Sequence, residues 1–219
     1  MEARLTTTTA PSPSGAMPWP VRIAWLILAM LCLGIALYSA HYLLHPPRKP
    51  AEALHNPQGV PWLFVHVAGA ITALVLGSFQ FLPGLRRGAS PPHRWIGRIY
   101  VLGCLVGGAA GLILAPGSSA GPIAAAGFGS LALLWMAVTL QGWRAVRQGR
   151  FAEHRRWMIR SWALTLAAVT LRVYLPLVMA LDLPFLPWYR AISFLAWVPN
   201  LIVAELWLRR ADARGQAGS

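Results

Sequence analysis

Acidic residues are scarce in this chain: six Asp and Glu stand against nineteen Lys and Arg. Lysine is scarcer still, with Lys49 alone beside eighteen arginines, and the cysteines are Cys32 and Cys104 only. Each shortage excludes a class of protein. With 11% charged and 57% hydrophobic residues, the chain is neither an ordinary soluble domain nor a disordered one. Two cysteines without a CxxC spacing, each in the middle of an apolar run, make no disulfide framework and no metal pair; they read as small packing residues. A Gly-rich phosphate loop, an HExxH motif, a paired-carboxylate site and a serine nucleophile elbow are all missing, which argues against a hydrolase or phosphotransferase. Glu205 is the one acid inside an apolar run, too few for a carboxylate proton relay. Enzymatic activity of other kinds is left open.

What the chain does have is long apolar runs. Six stretches, 21–44, 60–82, 93–115, 121–142, 156–180 and 188–208, each reach the roughly 20 residues that a helix needs to cross the hydrocarbon core. They predict an all-α polytopic membrane protein with six transmembrane helices. Residues 1–20, rich in Thr, Pro and Ser, are expected as a disordered cytoplasmic tail and 21–44 as a membrane-anchor helix. Residues 60–208 are expected as a five-helix membrane core, and 209–219 as a second cytoplasmic tail. The first run is too long for a signal-peptide h-region and lacks a small-x-small cleavage site after it, so it reads as a retained anchor.

The arginines orient the helices. Arg4 and Arg22, then Arg86, Arg87, Arg94 and Arg98, then Arg144, Arg147, Arg150, Arg155, Arg156 and Arg160, then Arg209, Arg210 and Arg214 fall on one side. Arg48, Lys49 and Arg190 fall on the other, and Arg172 alone lies within a span. Short basic segments stay cytoplasmic, so both termini are expected inside. The net charge of +13 is then explained by topology and anionic lipid rather than by nucleic acid. The arginine bias resembles the codon usage of a GC-rich bacterium and points to its plasma (inner) membrane. The partners expected are the lipid bilayer and a membrane subunit or second copy, with no nucleic acid.

Sliding the chain on itself by 61 residues superposes two hairpins without a gap. Gln80 falls on Gln141, Arg86 on Arg147, Gly88 on Gly149, and His93-Arg94 on His154-Arg155. This is the pattern of a parallel duplication of helix hairpins 2-3 and 4-5 about a pseudo-twofold along the membrane normal, or of two arginine-rich loops of similar composition. Ser90-Pro91-Pro92 is a helix start, which puts His93 in a first turn and His154 at the matching place. Two histidines at one depth on parallel helices can face each other. Small residues repeat every four positions at Gly69/Ala73/Gly77, Gly103/Gly107/Gly111 and Gly121/Ala125/Gly129, as for close helix packing or a flat cofactor slot.

Ionisable and amide groups in a span are costly, and so mark candidate sites. Gln80, Gln141, Arg160 and Glu205 lie toward the arginine-rich side with His93, Arg98 and His154. Glu205 needs Arg160 or Arg98 as its partner. His66, Arg172 and Asn200 lie toward the other side or the midplane. Pro199 should kink the sixth helix and free a carbonyl there. Arg172 has no acid at its depth, so a carboxylate-bearing ligand, or backbone carbonyls with Tyr174, must meet it.

The segments HVAGAITALVLGSFQF, HRWIGRIYV, EHRRWMIRSWALTLAAVTLRVYLPL and WVPNLIVAE, spread from Phe64 to Glu205, resemble the integral-membrane family called domain of unknown function 2306. That family implies a membrane fold and no particular activity. The chain is also similar, more distantly, to cytochrome b561-type proteins, whose four core helices hold haems between histidine pairs. This second resemblance implies His93 and His154 as ligands of one haem b, with Arg98 and Arg160 as partners of its propionates or of an acid. A second haem at His66 is not implied, because Gly127 stands where its partner would be.

Three functions are therefore compatible with the sequence. One is a haem b electron-transfer protein built on His93 and His154, with no other metal. One is a small-anion binding or transport protein lined by His66, Arg172 and Asn200. The last is a structural membrane subunit without a cofactor.

Overall fold

The computed structural model describes residues 19–44, 56, 59–80 and 90–217. Every regular element among them is helical: α1 (Trp19–Leu44), α2 (Val60–Gln80), α3 (Pro91–Leu114), a 3-10 turn at Ala115–Gly117, α4 (Pro122–Arg147), α5 (Phe151–Thr165), α6 (Ala167–Ala180), α7 (Phe185–Leu195) and α8 (Val198–Ala217). The pairs α5–α6 and α7–α8 each form one broken span. Six spans result: Trp19–His41, Val60–Gln80, Pro91–Gly117, Pro122–Arg147, Phe151–Ala180 and Phe185–Arg214. These are the six apolar runs, lengthened where helix continues beyond the hydrocarbon. Thus 209–217, expected as tail, is helical, and Arg156 of α5 holds it through Asp212 at 2.6 Å. Residues 1–18 of the expected N-terminal tail lie outside the described residues, as do Arg48, Lys49, Arg86, Arg87 and Gly88. An even number of spans puts Trp19 and Ala217 on the same side of the bundle.

Local chemistry sets the helix ends. Ser90 caps α3 by accepting the His93 amide, with Pro91 and Pro92 in the first turn, as the sequence predicts. The α4–α5 turn closes through Gly149 at φ 73°, with the Arg150 amide on the Ala145 carbonyl and the Gly149 amide on Val146. That double closure is a Schellman motif, and its left-handed position favours glycine. On the arginine-poor side, Asn56 Nδ2 donates to the Leu114 carbonyl at 2.8 Å and Arg190 Nε to Ala120 at 2.8 Å.

The small-residue stripes of α2 and α3 pack against each other rather than lining a slot. A Cβ on Gly69 would lie 2.7 Å from the Gly103 carbonyl oxygen and from Gly107 Cα and N. Backbone therefore touches backbone, which is what such stripes do where lipid offers no hydrophobic drive to association. Cys32 and Cys104 are both buried, in two separate apolar clusters, as the packing residues expected.

The centre of the bundle holds a buried polar web. Tyr100 Oη bonds Ser161 Oγ at 2.8 Å and Thr165 Oγ1 at 3.0 Å. Trp135 Nε1 donates to Thr165 Oγ1 at 2.9 Å, and Thr139 Oγ1 bonds Ser161 Oγ at 2.7 Å. Tyr100 and Ser161 are 61 residues apart, the offset of the repeat, so residues in register meet as they would beside a pseudo-twofold axis.

Both broken spans interrupt near mid-membrane. The break at Leu166 contains no Pro or Gly. It follows Thr165, whose hydroxyl bonds the Ser161 carbonyl, and Thr170 does the same to Leu166; such back-bonding bends helices. The second break, at Ala196–Trp197, precedes Pro199 as expected of a residue without an amide. Asn200 bridges the two: Nδ2 donates to the Ala196 carbonyl at 3.0 Å and to Thr170 Oγ1 at 2.9 Å. Asn200→Ala strands the Ala196 carbonyl and should cost about 1 kcal/mol, within the range of interhelical hydrogen bonds in membranes. Thermal unfolding in detergent measures it, and an unchanged midpoint would show that the bridge holds nothing.

Candidate functional site

The expected site residues sort into two groups, one at each side of the membrane. On the arginine-rich side, His93 and His154 occupy the first turns of α3 and α5. Gln80 Nε2 donates to the His93 carbonyl at 3.1 Å. His154 Nδ1 meets the Gly142 carbonyl at 2.8 Å, and because a carbonyl only accepts, that nitrogen carries the proton. Gln141, the repeat mate of Gln80, is exposed. Arg160 pairs with Glu205 through both guanidinium arms, with Nη2 at 2.9 Å, and stacks over Trp157. This is one of the two partners expected for Glu205. The other, Arg98, lies over Trp95, which is 62% exposed on the outside of the bundle.

On the arginine-poor side, α1, α2 and α6 meet in a seam. Cys32, Ala36, Leu74 and Val169 form its floor, with Ile35, Leu166 and Ala168 packed beside them. One turn beyond Val169 along α6 stands Arg172, and two turns beyond Leu74 along α2 stands His66. His66 Nδ1 donates to the Gly107 carbonyl of α3 at 2.8 Å, leaving Nε2 for any further partner. Gly111 makes room for the imidazole, since a Cβ there would lie 2.9 Å from His66 Nδ1. Arg172 Nη1 donates to the Ala168 carbonyl at 3.2 Å. The guanidinium thus points back toward mid-membrane, the direction in which helical side chains lean, rather than out to the interface. His66 and Tyr38 of α1 both stand within electrostatic reach of it. Among the described residues no carboxylate pairs with Arg172. Glu153, Glu205 and Asp212 are taken by Arg150, Arg160 and Arg156 on the opposite side, and Asp182, beyond the end of α6, makes no ion pair with it. Pro176 also removes the amide that would bond the Arg172 carbonyl.

The geometry regroups the residues expected here. His66 and Arg172 share the seam. Asn200 does not: it bonds Thr170, which lies about 200° around α6 from Arg172. Tyr174 packs into the main apolar cluster and is replaced beside Arg172 by Tyr38, which sequence reasoning missed. A tyrosine six residues from the end of a span reads as an interfacial anchor, so only the approach of α1 to α6 singles it out. The Tyr100 web was also missed, because lone hydroxyls in apolar runs carry no signal of their own.

A family model described as a predicted membrane protein, DUF2306, matches residues 63–208. The chain belongs to this family. The matched DUF2306 segment covers most of α2, all of α3 to α7 and about half of α8, and contains every residue of both groups except those of α1: Cys32, Ile35, Ala36 and Tyr38. The anchor helix α1 lies outside it. No curated protein and no solved structure matches the chain. DUF2306 membership thus carries the membrane fold, and any function must be argued from the residues themselves.

Proposed function

We propose that this chain is a ligand-binding membrane protein with a site for a carboxylate at Arg172 and His66, in the seam of α1, α2 and α6. The observation that carries this is a guanidinium within a span that has one backbone hydrogen bond and no acid partner among the described residues. An intramembrane arginine is expensive and is normally matched by an opposite charge. A carboxylate accepts two parallel N–H bonds from it, and His66 and Tyr38 are the polar groups within electrostatic reach of the same guanidinium. With the orientation expected from the arginines, the site serves the outer leaflet of the membrane.

The test is a titration of the purified protein in nanodiscs with benzoate as probe. A saturable rise in thermal unfolding midpoint is expected, growing with RT ln(1 + [L]/Kd). No shift up to high millimolar concentration sinks the proposal.

A haem b site at His93 and His154 draws less support from the residues present. The two arginines that would meet its propionates are engaged elsewhere, Arg160 with Glu205 and Arg98 on the outer face over Trp95. These residues do not fit a haem as they stand. The purified protein should therefore be colourless; a haem b absorption spectrum that shifts on reduction would reverse that judgement.

A further inference from the structure

We infer that α6 is a hinged gate over the Arg172 site, swinging on Leu166 and closing toward α1 and α2 when a carboxylate binds. The inference rests on the carboxylate site proposed above and adds how access to it is controlled. The site is shared between two bodies. Arg172 stands on α6, whereas the groups within its electrostatic reach, Tyr38 and His66, stand on α1 and α2.

Of the four half-helices in the broken spans, three are anchored. The inner halves α5 and α8 are tied together by Arg160–Glu205, by Arg156–Asp212 at 2.6 Å and by Arg155 over Trp207. The outer half α7 is held on α4. Arg190 Nε donates to the Ala120 carbonyl at 2.8 Å, and the Tyr189 and Phe128 rings lie 5.6 Å apart. Ser193 fills the space that a Cβ on Gly127 would need. Nothing comparable holds α6. Past its first turn it buries Val178 alone, while Val173, Leu177 and Met179 are 52%, 50% and 72% exposed. Among the described residues it takes part in no ion pair. A segment with few buried contacts is the part of a fold that opens at least cost.

The break supplies the hinge. Leu166, Ala168 and Val169 pack in the floor of the seam, so the near end of α6 is fixed and the far end tilts. Leu166 separates α5 from α6, and hinge motions concentrate at such element-terminal residues. Farther along, Pro176 removes one more backbone bond. A tether crosses the other face of the helix: Asn200 Nδ2 donates to Thr170, one turn from the break, at 2.9 Å. Asn200 thus limits the tilt from behind, while a carboxylate between Arg172 and His66 draws α6 forward. The ligand makes its full set of contacts in the closed state alone, which is the differential affinity that a population shift requires.

The experiment is double electron–electron resonance on the whole chain in nanodiscs, with spin labels at Val60→Cys of α2 and Met179→Cys of α6. Both positions are exposed, and Cys32 and Cys104 are buried and closed to the label. A tilt of about 15° at Leu166 moves Met179, about 20 Å along α6, by about 5 Å. Saturating benzoate is expected to narrow the distance distribution and shorten it by a shift of that size. Arg172→Gln should abolish the shift, and Asn200→Ala should broaden the ligand-free distribution at least twofold. Benzoate that raises the unfolding midpoint without moving the distance keeps the carboxylate site and overturns the gate. A shift that persists in Arg172→Gln overturns the gate too, since the motion is then not driven from the site. An unbroadened distribution in Asn200→Ala overturns the tether. Benzoate that changes neither midpoint nor distance overturns site and gate together.

Discussion

Gly69→Ala is expected to lower the stability of the purified protein by about 3 kcal/mol, the upper part of the range for overpacking. The added methyl has nowhere to go. Its three nearest neighbours, the Gly103 oxygen and the Gly107 Cα and N, are backbone atoms at 2.7 Å, so no rotamer change relieves the contact. The helices α2 and α3 must separate instead, and Gly107, whose own Cβ would sit 3.1 Å from the Ala70 nitrogen, loses its fit with them. In lipid, dispersion contacts of this kind hold helices together, and they fall off steeply within an ångström. Gly34→Ala is the control: with open space around it, the same change removes only the backbone freedom of glycine and should be neutral or slightly stabilising. Thermal unfolding followed by near-ultraviolet circular dichroism compares the two. Equal midpoints would mean that the α2–α3 contact does not limit stability.

The second large effect is opposite in sign for stability and binding. Arg172→Met should abolish benzoate binding, a loss of 100-fold or more, while leaving the unfolding midpoint of the ligand-free protein unchanged or higher. A buried charge without a counter-charge costs about 2.5–3.5 kcal/mol at the centre of a spanning helix on the insertion scale, and less at the depth of Arg172. Methionine removes that cost and fills much of the same volume. Were Arg172 structural, through its bond to the Ala168 carbonyl, the substitution would instead lower the midpoint and loosen the α1–α6 seam. Arg172→Lys separates charge from geometry: a point charge replaces a planar fork, and affinity should fall at least tenfold with the charge retained. Unaltered benzoate affinity in Arg172→Lys would show that bidentate recognition plays no part.

Much of the architecture was legible in the residues because membrane physics is read locally. A run of about 20 apolar residues either spans or does not, and the backbone within it must be helical. The caps were equally local: Ser90 and the two prolines after it mark the start of α3, and Pro199 marks the break before α8. That Glu205 pairs with Arg160 or Arg98 followed from scarcity, since a lone acid near few arginines has few choices, and the structure selects Arg160. The break at Leu166 was not legible. It follows the back-bonding of Thr165 and Thr170, and such hydroxyls in an apolar run bend some helices and leave others unbroken.

The candidate site divides in the same way. That His66 and Arg172 were candidates for function was readable from the cost of each in hydrocarbon. Which of the polar residues share one site was not. Asn200 and Arg172 look like neighbours in depth, yet Thr170 draws Asn200 to the other side of α6, while Tyr38 arrives from a helix outside the family's matched region. By itself, then, the sequence determined the membrane, the six spans, their arginine-rich side and which polar residues are costly within a span, because each follows from composition and spacing along one helix. Only the tertiary structure decided which faces meet, and so brought Tyr38 of α1 and His66 of α2 within electrostatic reach of Arg172. Rotation about a helix axis leaves depth unchanged, and it is settled by contacts between backbones such as those at Gly69 and Gly107.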